Sequence, residues 1–245
     1  MTTPASTPAV SLPTPRVALP IVHAVTTDAV VALPDFLDRA SAVMHALGPR
    51  GAVQLRAHRT SGARVFALAR ALVELQERTG AWLVVNDRLD VALAVGARGV
   101  QLTSRSIGVR DARRVAALAA QYTERSGAGP AIGASVHAVE EAEHAAREGA
   151  DWVVAGHVFG TPSHAGAEGR GRAFVRSVVE RLGGAAGTPV VAIGGVLPTH
   201  FPELRALGVY GAAAIRGIWE ASDAAQAATD YLSWYDATDG HGGAR

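Results

Sequence analysis

The chain has 245 residues, no cysteine, nine histidines and a formal charge of +1 from 23 basic and 22 acidic residues. The lack of cysteine excludes disulfides, thiol nucleophiles, zinc–thiolate sites and iron–sulfur clusters, and the balanced charge gives no field for steering onto nucleic acid or an anionic membrane. Apolar residues at 49% suit a substantial core, yet no apolar run approaches the roughly 20 residues of a membrane span.

Residues 1–18 are rich in Pro, Thr, Ser and Ala and are expected to form a disordered lead-in without signal-peptide character, which predicts a cytoplasmic protein. Eight short runs rich in Val, Ile and Ala then follow: LPIVHAV from Leu19, GAVQL from Gly51, AWLVV from Ala81 and GVQL from Gly99. AIGAS from Ala131, DWVVAG from Asp151, PVVAIG from Pro189 and GAAAI from Gly211 complete the set. Their starts lie about 27 residues apart, a suitable length for a βα unit.

The segments between them have helical period. VFALARALVELQER from Val65 spaces Phe66, Ala69, Leu72, Val73 and Leu75 as an apolar stripe. VEEAEHAAREG opens in glutamates, closes on Arg147 and ends at Gly149, as the helix dipole and a C-cap glycine favour. Continuous apolar strands alternating with helices predict a parallel sheet covered on both faces. Eight units without a second-domain insertion predict a single (β/α)8 barrel over residues 19–235, with a flexible tail over 236–245.

In such a barrel the chemistry sits at the C-terminal strand ends. Gly194-Gly195 after the seventh strand and Ile215-Arg216 after the eighth lie where phosphate is commonly bound, and Gly166 in the loop GAEGRG can close over the same end. Plain tight turns would also use these glycines, and Arg216 could equally be a solvated helix residue. His137 ends the fifth strand, in position to act as an acid or base or merely to cap beside Ser135. His157 has a similar address after the sixth strand. His23 reads as a satisfied core histidine, and His45, His144 and His200 as surface residues. Asp87, in Asn86-Asp87-Arg88, finds no acid in TSRSIG, the neighbouring loop after the fourth strand. It therefore reads as the N-cap of the following helix rather than as a metal ligand, and no metal site is expected.

With these motifs in place the chain resembles the thiamin phosphate synthase and thiazole tautomerase (TenI) superfamily from Leu19 to Trp234. The resemblance is carried by HAVTTD, QLR, VNDRLDVALAVGARGVQL, IGASVHAVEEAEHAAREGADWV, GHVFGTPSHAGAEGRG and PVVAIGGV. Synthases of this superfamily join a pyrimidine diphosphate to a thiazole phosphate with Mg²⁺. Their pattern carries a lysine after QLR, an Asp in the loop after the fourth strand and a lysine beyond Thr-Pro after the sixth. Here Ala57-His58, Arg105-Ser106 and His164 stand in those regions.

The tautomerase pattern of GHVF, SVH and GLEGRG is matched more closely, so the resemblance implies an isomerase that aromatises a carboxythiazole phosphate without a cofactor. On that reading His137 carries the proton. Arg56, Asn86, Gln101 and His157 contact the substrate, while Gly166, Gly194, Gly195, Ile215 and Arg216 hold its phosphate. The family commonly has Ser where Arg216 stands. Two alternatives remain: the Mg²⁺-dependent synthase and a non-catalytic binder of thiamin-pathway ligands. A small-molecule thiazole phosphate is the expected partner, with no nucleic acid or membrane, and barrels of this type often pair, so a homo-oligomer is expected.

Overall fold

A computed structural model describes residues 18–122, 129–160 and 169–239. Residues 1–17, Gly166 and His164 with their loop, and the last six residues lie outside that range. Eight strands are present where the apolar runs place them: β1 (Val22–Val25), β2 (Gly51–Leu55), β3 (Trp82–Asn86) and β4 (Gly99–Leu102), then β5 (Ala131–Val136), β6 (Trp152–Gly156), β7 (Val190–Ile193) and β8 (Gly211–Ala214). Each pairs in parallel with the next, and β8 returns to β1 with Val22 opposite Ala212, which closes the barrel.

The helices are α1 (Asp28–Val31), α2 (Phe36–Leu47), α3 (Gly62–Thr79), α4 (Leu89–Val95) and α5 (Val109–Ala120). The second half adds α6 (Val139–Arg147), α7 (Gly171–Arg181), α8 (Phe201–Ala206), α9 (Arg216–Trp219) and α10 (Ala224–Asp239). Helix α6 has Glu140 and Glu141 in its first turn and Arg147 in its last, and Gly149 follows at φ 93°, a conformation glycine adopts without a Cβ penalty. On α3 the buried face is Val65, Leu68, Ala69, Leu72, Leu75 and Gln76, whereas Phe66 is exposed. The stripe is the one that helical spacing from Val65 gives, turned from the expected one by about one residue, and Gln76 lies on it. Its Oε1 accepts from Leu83 N and Arg98 N, and its Nε2 donates to the Gly96 carbonyl. One amide thus satisfies three backbone groups under the barrel.

Strand alternation divides the apolar residues into two cores. Val53, Leu55, Leu83, Val85, Val153 and Ala155 point outward to the helices. Val25, Ala52, Trp82, Val84, Trp152, Val154, Val191 and Ala213 fill the interior. Trp152 occupies the space that Gly133 leaves, where a Cβ would come within 2.2 Å of the indole.

The C-terminus differs from expectation. Helix α10 runs through Asp236 to Asp239 instead of ending in a tail at Asp236. Arg50 donates to both Asp236 oxygens, at 3.0 and 2.5 Å, Tyr235 is buried, and the Tyr231 hydroxyl donates to the Val196 carbonyl at 2.7 Å. These side chains hold the last turns against the barrel, a tertiary effect that a polar sequence does not announce. No described helix is long and apolar enough to cross a membrane.

Candidate active site

The inward parity of the strands continues past their ends. It carries Gln54 on to Arg56, Trp82 and Val84 on to Asn86, and Gln101 on to Thr103. At the mouth of β1 and β2, the buried Thr26 hydroxyl donates to the Arg56 carbonyl at 3.0 Å and accepts from the Arg56 N–H at 2.9 Å. Asp28 fixes the continuation by accepting from His58 N, Arg59 N and the Thr60 hydroxyl at 2.8 to 3.1 Å. Arg56 is thereby held half-buried at the rim. Burial, then the neighbouring Arg105, pushes its guanidinium down from its ordinary value, against the opposing pull of Asp87 and Asp28.

The centre of this mouth is Asp87. It is the one non-glycine residue with a positive φ, 61°, among the described residues. Such a backbone costs of order 1–3 kcal/mol, although Asp tolerates it better than most residues. It does not cap α4, whose N-cap is Arg88 and which lacks a side-chain cap, so the capping expectation fails. The turn instead swings the carboxylate into a hydrogen-bonded cluster. Oδ1 accepts from the Thr103 hydroxyl at 2.5 Å and the Ser106 hydroxyl at 2.6 Å, and Oδ2 accepts from Asn86 Nδ2 at 2.7 Å. Desolvation pushes this carboxyl up, but the hydrogen bonds from Ser106 and Thr103 outweigh it and hold the group below its ordinary value.

Beneath it Gln54 Nε2 donates to Asn86 Oδ1 at 2.8 Å, which sets the amide orientation of Asn86. Beside it His58 bridges to a second cation. Arg105 Nη2 lies 2.7 Å from His58 Nε2, and Asp87 Oδ2 lies 3.6 Å from His58 Nδ1. A guanidinium only donates, so Nε2 accepts and Nδ1 carries the hydrogen toward Asp87. Burial, then Arg56 and Arg105, lowers the His58 pKa against the opposing pull of Asp87 and Asp28. Gln101 lies deeper, fully buried, accepting from Trp152 Nε1 at 2.9 Å and donating to Ser135 Oγ at 3.0 Å. It shapes the floor of the barrel mouth.

The far side of the same mouth is made of backbone. Gly194 and Gly195 after β7 have φ of 96° and 63°. A Cβ on Gly194 would come within 2.4 Å of His157 Cβ, and one on Gly195 within 2.7 Å of the Gly160 carbonyl. His157 therefore packs against the glycine turn, away from the Arg56 cluster. Ile215 and Arg216 stand half-buried at the start of α9 on the neighbouring strand. His137 is exposed at the end of β5. Its Nδ1 is 3.1 Å from the Gly156 carbonyl, and its backbone N–H donates to Glu141.

Residues 22–218 match the family model described as thiamine monophosphate synthase, TMP-TENI. The chain belongs to this family. A thiamine-phosphate synthase of Methanoculleus marisnigri is 35% identical over 183 residues, which cover 75% of this chain and 81% of that protein. One from Pyrococcus furiosus is 34% identical over 180 residues, covering 74% and 80%. The solved structure of thiamine phosphate pyrophosphorylase from Pyrococcus furiosus superposes with a TM-score of 0.72 at 29% identity, covering 89% of this chain and 96% of that one.

This family membership upholds the enzymatic, thiamine-pathway character of the chain and overturns the tautomerase expectation, since these relatives carry the synthase name. The proton-carrier role of His137 falls with that reaction. The physical reason lies in the Asp87 cluster. His58, Arg105 and Ser106 looked like losses of the synthase charges, yet Arg105 bonds to His58, His58 faces Asp87 and Ser106 donates to Asp87, so a polar, cationic mouth is present. Gln54, His58, Asp87, Thr103, Arg105 and Ser106 are members of the mouth that were absent from the expected site. Strand parity would have pointed to Gln54 and Thr103, whereas nothing local signals that Arg105 folds back onto His58.

The resemblance to synthases implies Mg²⁺, which the residues of this mouth would have to hold. A hard dication needs several oxygen ligands with free lone pairs. Asp87 offers the carboxylate, but two hydroxyls occupy Oδ1, while an amide and the His58 ring face Oδ2. No second acid joins this hydrogen-bonded cluster, no three His, Asp or Glu side chains converge among the described residues, and Arg105 sits where a dication would be repelled. The described residues do not fit the metal.

Proposed function

We propose that this chain joins a pyrimidine diphosphate to a thiazole phosphate and releases pyrophosphate. The observation that carries this reading is the synthase name of relatives at 34–35% identity that align over about three quarters of the chain. The geometry supports it through two sides of one mouth suited to two anions: a side-chain cluster rich in guanidinium for the diphosphate, and a glycine turn for the smaller monophosphate.

In the step itself the bond from the pyrimidine-bearing carbon to the diphosphate oxygen breaks, and its electron pair leaves with pyrophosphate. The ring-nitrogen lone pair of the thiazole forms the new bond to that carbon. No proton has to move between carbon centres, so the reaction needs orientation and charge stabilisation more than an acid or base. Arg56 and Arg105 face the charge that grows on the leaving group, while His58 and Asp87 hold Arg105 in place. Gly194 and Gly195 let the thiazole phosphate approach the backbone closely, with Ile215 and Arg216 beside it. Asn86 and Gln101 shape the floor between the two substrates.

The test supplies purified protein with both substrates, then with each alone and with carboxythiazole phosphate alone, and follows products by mass spectrometry. A joined product that needs both substrates is the expected result. Conversion of carboxythiazole phosphate alone, or no conversion of any set, refutes the reading.

A further inference from the structure

We infer that Arg56, His58 and Arg105 form a pyrophosphate-binding subsite that works through guanidinium contacts and without a divalent cation. The inference rests on the transfer reading only for its choice of ligand. Three observations carry it. The first is the saturated carboxylate: every side of Asp87 is engaged, and what it supports is a histidine holding an arginine rather than a metal.

The second is charge. Arg105 lies 2.7 Å from His58, two residues along the chain from Arg56, whose guanidinium feels the Arg105 charge, and no hydrogen bond or ion pair among the described residues engages the Arg56 guanidinium. Two like charges gathered at the rim, with Asp87 and Asp28 too committed to neutralise them fully, make a site that an oxyanion stabilises. The third is chemistry. All 23 basic residues of the chain are arginine and none is lysine. Guanidinium groups bind phosphate oxygens in pairs of parallel N–H bonds, a geometry that a point-charge ammonium cannot reproduce.

The orientation follows from the relay. Asp87 faces the Nδ1 hydrogen of His58, His58 Nε2 accepts from Arg105 Nη2, and no hydrogen bond among the described residues commits the remaining guanidinium N–H groups of Arg105. His58 is thus a positioning residue, while Arg56 and Arg105 are the contacts.

Calorimetric titration of inorganic pyrophosphate into the full chain, once in excess EDTA and once in excess magnesium chloride, tests this directly. The expected result is saturable binding in EDTA, not strengthened by magnesium, which shields the ligand in solution. Arg105→Ala should weaken binding in EDTA by about tenfold to hundredfold, the worth of one or two charge-assisted hydrogen bonds. Because Arg105 is exposed, its removal should leave the thermal midpoint unchanged. Arg56→Ala should weaken binding similarly.

Binding that requires magnesium, binding in EDTA indifferent to both substitutions, or no binding in either buffer overturns the inference. Its fate is separable from that of the transfer reading. Binding in EDTA by a protein that joins no substrates leaves the subsite standing and removes the reaction. Joining of substrates that needs magnesium, together with magnesium-dependent binding, does the reverse.

Discussion

The two sides of the barrel's C-terminal mouth are built for negative charge in opposite ways. At β2–β4 the work falls to side chains: two arginines, a histidine and a carboxylate tied together by hydroxyls and amides. At β7–β8 it falls to bare backbone at Gly194 and Gly195, where neighbouring atoms leave no room for a Cβ. A side-chain site can change its chemistry by substitution and keep its shape. A glycine turn can only be kept or lost.

That contrast predicts how each side breaks. Gly194→Ala combines a positive φ with contacts of 2.4 and 2.7 Å to His157. It should destabilise the fold by about 3 kcal/mol, read as a lower denaturant midpoint, because strain and overpacking add. Acid separates the rim from the interior beneath it. His23 is fully buried, and burial lowers its pKa from 6.5 to about 4. Above pH 6.5 it costs nothing. Between pH 6.5 and 4 the unfolded chain takes up a proton that the folded chain refuses, so stability falls by about 3 kcal/mol as pH drops. The rim acids Asp28 and Asp87 have lowered pKa values, so their contribution is present above pH 3.8 and is lost only below it. His23→Leu should therefore flatten the stability profile between pH 6.5 and 4 and leave the steeper acid limb, measured by urea unfolding across pH.

Smaller effects resolve the side-chain cluster. Asp87→Asn keeps the shape but replaces one acceptor oxygen with a donor, which unpins Thr103, Ser106 or His58. It should lower kcat/KM for the joining reaction by about a hundredfold with little change in thermal midpoint. Thr103→Val removes one of the two hydroxyls on Oδ1 and should cost about tenfold in the same assay. If both variants behaved as wild type, the cluster would not support the reaction.

Much of the fold was legible because it rests on periodicity. The eight apolar runs became the eight strands, and the helix ends at Gly96 and Gly149 follow from glycine at positive φ. What escaped depends on contacts distant in sequence. Gln76 is buried on α3 because Leu83 and Arg98, later in the chain, donate to it, and Asp236 stays in α10 where Arg50, 186 residues away, donates to it. The site divides similarly. Arg56, Asn86, Gly194 and Gly195 were visible as strand-end residues. Asp87 looked like a cap because its backbone conformation is invisible in the sequence, and Arg105 looked like a loss because its partner, His58, lies 47 residues earlier.

The joining reaction is tested most directly by a phosphorus NMR time course on the full-length protein with both substrates present. The expected result is pyrophosphate appearing in step with the loss of the diphosphate ester, and one new phosphate monoester signal replacing that of the thiazole phosphate. A spectrum in which neither substrate changes, or in which the thiazole phosphate changes without release of pyrophosphate, would contradict it.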